Sequence, residues 1–72
     1  MNDHRNLKYV ATEAGMLRNE QTLHRPVDES SIEGEVLMYT VDEEPIPEPP
    51  YTRAEVTKAL ESLKQHNYIT ER

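Results

Sequence analysis

The sequence predicts a small single α+β domain in which an N-terminal extended pair and a central strand pack against one C-terminal helix. Three observations predict it. The stretch "YTRAEVTKALESLKQHN" contains a helix start, an apolar stripe at helical spacing and a helix stop, in that order. The stretch "GEVLMYTVD" is dense in β-branched and aromatic residues, which favour strands. The chain has 72 residues, which allows one domain at most, since independent domains need roughly 50 residues or more.

Residues 1–26 are the least determined segment. "LKYVATEAGML" fits a helix through Leu7, Val10, Ala11, Ala14 and Leu17. It also fits a strand at "KYVAT", a turn at Gly15 and a second extended piece from Arg18 to Leu23. Gly15 would cost a helix about 1 kcal/mol relative to Ala, and Tyr9, Val10 and Thr12 lean towards strand. The hairpin-like pair is the preferred reading. Pro26 closes that unit, and "VDESSIEG", residues 27–34, reads as a loop.

The central strand is expected over 35–41. Val36, Met38 and Thr40 would point one way, and Leu37, Tyr39 and Val41 the other. Both faces are then largely apolar. One can pack on the C-terminal helix; the other needs cover from the N-terminal segment, from a second copy or from another protein. A connector over 42–51 follows, with Pro45, Pro47, Pro49 and Pro50 biasing it to an extended, semi-rigid polyproline form. Pro47 and Pro50 have the PxxP spacing of groove ligands, but their neighbours are Glu43, Glu44 and Glu48 where such ligands carry a basic residue.

The helix is expected over 53–66. Thr52 and Glu55 form a capping box, each side chain serving a free backbone N–H. Pro50 restricts Pro49 to extended conformations and keeps the helix from starting earlier. Val56, Ala59, Leu60 and Leu63 make the apolar stripe. Asn67 is the expected left-handed terminator, with Tyr68 and Ile69 folding back as an apolar clamp.

Composition limits what such a domain can be. Six Leu, five Val, three Ile, three Met and four Tyr are its large apolar residues, with no Phe, Trp or Cys. A core of that size rarely supplies more than about 3–5 kcal/mol, and no disulfide or thiolate-bound metal can reinforce it. No apolar run approaches the roughly 18–20 residues of a membrane span. The first residues lack the basic-then-apolar profile of a secretory leader. A cytoplasmic protein with no membrane contact is the expectation.

The net charge of −6 is concentrated in one place. Residues 1–25 and 53–72 each sum to +1, while 26–52 hold eight carboxylates and no base. That field repels phosphate backbones and attracts basic surfaces, so nucleic acid is not expected to bind through the middle segment. His4, His24 and His66 match no zinc spacing, and no glycine-centred calcium loop follows Asp42, Glu43 and Glu44. Ser30 and Ser31 have no positioned base in the sequence. No catalytic residue, metal or cofactor is expected, and the chain is not expected to be an enzyme.

The functional expectation is an interaction module, a regulator or inhibitor of the size found in phages and mobile elements. Its candidate protein-binding residues are Asp42, Glu43, Glu44 and Glu48 for a basic partner surface, and Leu37, Tyr39 and Val41 for an apolar contact. A nucleic-acid-handling enzyme such as a polymerase or nuclease is the kind of partner that size and charge suggest. Self-association through the apolar face into a homodimer is a further possibility. "TRAEVTKALESLKQHNYI" also resembles the helix-then-strand of winged-helix DNA-binding domains. That resemblance implies Arg53, Thr57 and Lys64 as phosphate or base contacts of a transcriptional regulator.

Overall fold

A computed structural model describes residues 1–23 and 31–72. Its best-encoded element is the C-terminal helix, Arg53–Gln65. At its start the Glu55 amide donates to Thr52 Oγ1 at 3.2 Å and the Thr52 amide to Glu55 Oε1 at 3.0 Å, the reciprocal box expected from the sequence. At its end Tyr68 N–H reaches back to the Leu63 carbonyl at 2.9 Å and Asn67 N–H to that of Lys64 at 3.0 Å. Asn67 sits at φ 62°, the left-handed residue of this Schellman closure. Val56, Ala59, Leu60 and Leu63 are all buried, as their spacing predicts.

The segment expected as a central strand is helical instead. Ser31–Val41 forms an α-helix, which corrects the expected strand over 35–41 and the part of the expected loop from residue 31 to 34, while 27–30 lie outside the described residues. The physical reason is the period of burial. Val36, Leu37 and Thr40 are buried, with Ile32 and Tyr39 packed beside them, and these positions share one side of a helix. The two apolar faces that looked odd for a strand reflect a helix read at the wrong period. Thr40 donates its hydroxyl to the Val36 carbonyl at 2.8 Å, which satisfies a buried polar group inside the helix. Tertiary burial thus overrides the β-propensity of Val36, Tyr39, Thr40 and Val41.

The N-terminal hairpin is corrected as well. In chain order the described elements are β1 (Asn2–Asp3), a 3₁₀ turn (Arg5–Lys8), β2 (Tyr9–Ala11), α1 (Glu13–Leu23), α2 (Ser31–Val41), β3 (Ile46–Pro47), α3 (Arg53–Gln65) and β4 (Ile69–Glu71). "KYVAT" does supply a strand, but the piece from Arg18 to Leu23 belongs to α1. Strand β2 pairs antiparallel with β4, placing Tyr9 opposite Glu71, Val10 opposite Thr70 and Ala11 opposite Ile69. Strand β1 pairs antiparallel with β3, with Asn2 opposite Pro47 and Asp3 opposite Ile46. The extended pairs therefore join the beginning of the chain to its second half.

Thr12 caps α1: its hydroxyl accepts the Gly15 amide at 3.1 Å, and its carbonyl accepts the Met16 amide at 2.9 Å. Gly15 is not a turn. It is buried where α1 crosses the chain after α3, so close that an added Cβ would lie 1.9 Å from the Tyr68 carbonyl oxygen. Only glycine allows that approach. The core between α2, β3, α3 and β4 comprises Val36, Leu37, Ile46, Val56, Ala59, Leu60, Leu63 and Ile69. The result is a small α+β fold of three helices and two antiparallel strand pairs among the described residues.

The connector is shorter and more bent than expected. Ile46 is fully buried in β3, and the chain then turns through 48–50, with the Tyr51 amide 3.4 Å from the Pro47 carbonyl. The extended form to which its prolines bias this connector is interrupted: Ile46 is drawn into the core and the segment folds around it. Pro26, His24, Asp28, Glu29 and Ser30 lie outside the described residues. No helix among the described residues is long and apolar enough to cross a membrane.

Candidate protein-interaction surface

The acidic residues sit where α2 stops. Glu44 N–H bonds to the Tyr39 carbonyl at 2.9 Å and Glu43 N–H to that of Thr40 at 3.2 Å. This second Schellman closure puts Glu43 at φ 57° in the left-handed position. The Glu44 carbonyl is held from beneath by Asn6 Nδ2 at 2.7 Å. Asn6 is fully buried, and its Oδ1 has no hydrogen-bond partner. Asp42, Glu43 and Glu44 thus project from a tightly tied turn, and all three are exposed. Glu43 meets Arg72 at 3.1 Å, a solvated pair worth about 0–1 kcal/mol at most.

Glu48 is placed apart from these three, half-buried beyond β3. Its backbone pairs with the first residue: the Met1 ammonium donates to the Glu48 carbonyl at 2.9 Å, and Glu48 N–H to the Met1 carbonyl at 3.0 Å. Leu37, Tyr39 and Val41 do not form the exposed apolar face expected of a strand. Leu37 is 1% exposed in the core, and Tyr39 and Val41 pack against it, with Tyr39 edge-on to Tyr51 at a centroid distance of 6.4 Å. Helical winding turns these residues inwards, and the candidate apolar contact is corrected accordingly.

A polar cluster that sequence reasoning missed lies beside β1. Arg5 grips Asp3 through Nε at 3.0 and 3.1 Å and through Nη2 at 2.6 Å. The same guanidinium donates through Nη1 to Thr57 Oγ1 and through Nη2 to the Arg53 carbonyl at 2.9 Å. The hydrogen bonds from Arg5 hold the Asp3 carboxyl below its ordinary range, against the opposing effect of its burial; Arg5 is raised in turn, chiefly by Asp3. Asp-x-Arg is an unremarkable triplet, and nothing in its spacing signals that α3 completes the site.

This cluster also bears on the residues implied by the winged-helix resemblance. Thr57 is engaged by Arg5 and donates its own proton to the Arg53 carbonyl at 2.9 Å. Lys64 Nζ donates to Glu71 at 3.0 Å, which raises its pKa. The Arg53 side chain is exposed. The three lie on one flank of α3, yet two of them serve contacts within the chain. His66 Nδ1 lies 2.8 Å from the Ser62 carbonyl at the end of α3, and the ring stacks on Tyr68 at 5.7 Å. Among the described residues no group of three or more His, Asp or Glu is arranged to hold a metal ion.

No family model, curated protein or solved structure matches this chain. The surface is described by its own geometry. It offers three carboxylates on a fixed turn and a fourth on the next strand end, next to backbone carbonyls that already accept cationic donors.

Proposed function

We propose that the protein is a small acidic interaction module, a regulator or inhibitor that engages a basic surface on a nucleic-acid-handling protein such as a polymerase or nuclease. The observation that supports this reading is the Asp42–Glu43–Glu44 turn. Its carboxylates are in solvent while its backbone is tied by two Schellman bonds and by Asn6. A surface fixed before encounter loses little entropy when bound. Grouped carboxylates favour an arginine- or lysine-rich partner and speed its approach. Neutralising the group as Asp42→Asn, Glu43→Gln, Glu44→Gln and Glu48→Gln should weaken partner binding and flatten its salt dependence. The partner is first captured from lysate with nuclease present, washing at about 150 and about 500 mM salt to bracket weak and strong screening. Unchanged affinity after the fourfold substitution sinks the reading.

A second reading has one observation in its favour. The winged-helix resemblance requires helices before α3, and α1 and α2 are there, with β4 following directly after the Asn67 turn. On that reading the chain is a DNA-binding regulator using α3. It would shift duplex DNA on a gel and lose the shift when Arg53 and Lys64 are replaced by Gln. The acidic module shifts none.

A further inference from the structure

Residues 1–6 form a strap of unusual composition. After Met1, whose side chain is fully exposed, come Asn2, Asp3, His4, Arg5 and Asn6, with no apolar side chain among them. The strap is held to the rest of the molecule by polar contacts: the β1–β3 pairing, the Met1–Glu48 bonds, the Arg5 guanidinium and the Asn6 amide. In the side-chain bonds it makes to other elements, the strap donates and the body accepts. The acceptors are the carbonyls of Glu44 and Arg53 and the hydroxyl of Thr57. The Glu48 charge acts on Arg5 as well.

The site beneath the strap is thus an acceptor-lined strand edge at the margin of the acidic segment, already occupied by an arginine. We propose that the strap is an internal stand-in for an extended, arginine-bearing peptide segment of the partner. That segment replaces β1 along β3 and seats its guanidinium on Thr57 Oγ1 and the Arg53 carbonyl. This inference rests on the acidic-module reading and names the form of its partner. Strand addition supplies the backbone bonds, and the arginine supplies the selectivity. Because the strap buries no apolar side chain, it can leave while the core among α2, β3, α3 and β4 remains packed.

The test uses the full chain, isotope-labelled for NMR, as wild type and as Arg5→Gln, with two synthetic hexapeptides: MNDHRN and the same peptide with glutamine for arginine. Tethering gives the resident strap an effective concentration in the millimolar range, so loosening it should favour a competitor. Titrating MNDHRN should shift the Thr57 and Glu48 amides of Arg5→Gln at about one fifth of the concentration wild type requires. The glutamine peptide should shift neither. Equal responses in the two proteins, or a folded Arg5→Gln that ignores MNDHRN, overturn the proposal. Hydrogen exchange on wild type provides a reading that does not depend on a folded variant. The amides of Asp3, Arg5 and Glu48 should exchange at least about tenfold faster than those of Val56–Leu63; equal protection overturns a detachable strap. The peptide experiment needs no partner, so its failure leaves the acidic-turn reading standing, whereas failure of the fourfold neutralisation removes both.

Discussion

Glu43 occupies the left-handed position that a Schellman closure usually gives to glycine. A side chain at φ 57° costs about 1 kcal/mol, and the Arg72 pair that accompanies it is solvated on both sides. The backbone term should win. Glu43→Gly is expected to raise stability by about 0.5–1 kcal/mol, read as a rise of a few degrees in Tm at about 0.5 M salt, where the ion pair is screened. Gly15 is the opposite case. Alanine would gain about 1 kcal/mol of helix propensity, yet its methyl group would meet the Tyr68 carbonyl at 1.9 Å. The clash involves backbone and cannot rotate away, so Gly15→Ala should destabilise by about 1–3 kcal/mol in urea unfolding. A stabilised Gly15→Ala would show that α1 does not cross β4's approach this closely.

At the scale of elements, α3 was legible in the sequence because its signals are local. The Thr52–Glu55 box, the apolar stripe and Asn67 each act within one or two turns. Thr52→Ala should therefore cost about 1 kcal/mol in unfolding free energy, with Thr52→Ser near neutral. Helix α2 was misread because its β-branched residues speak for a strand until Val36, Leu37 and Thr40 are seen to share a side. Helix α1 was misread for a different reason. Its single glycine is needed for a tertiary contact 53 residues away, which no local pattern encodes. Of the candidate surface, the acidic turn was legible as charge. The Asp3–Arg5–Thr57 cluster was not, since it exists only once β1 lies against α3.

For the whole molecule, the Asp3–Arg5 clamp ties stability to pH. The Asp3 carboxyl is lowered from 3.8 in the fold. Its contribution is therefore complete above about pH 4 and is lost as pH falls through the folded value, because the unfolded chain takes up that proton first. The difference between wild type and Asp3→Asn isolates the clamp. Their unfolding free energies should differ by about 1–3 kcal/mol at pH 7, and the gap should close as pH falls through the folded value of Asp3. A gap that persists at low pH would mean that Asp3 acts through packing instead of charge.

Both strand pairs join the first eleven residues to segments beyond residue 45. During synthesis, then, β2 waits for β4 and β1 waits for β3. A ribosome-bound chain lacking Ile69–Glu71 has Tyr9–Ala11 without a partner and Gly15 without the Tyr68 carbonyl it crosses. Helix α3 can form as it emerges, but β2 has no strand partner until Ile69–Glu71 has been translated. The strand pairs are thus long-range contacts that close only after α1 and α2 have been translated.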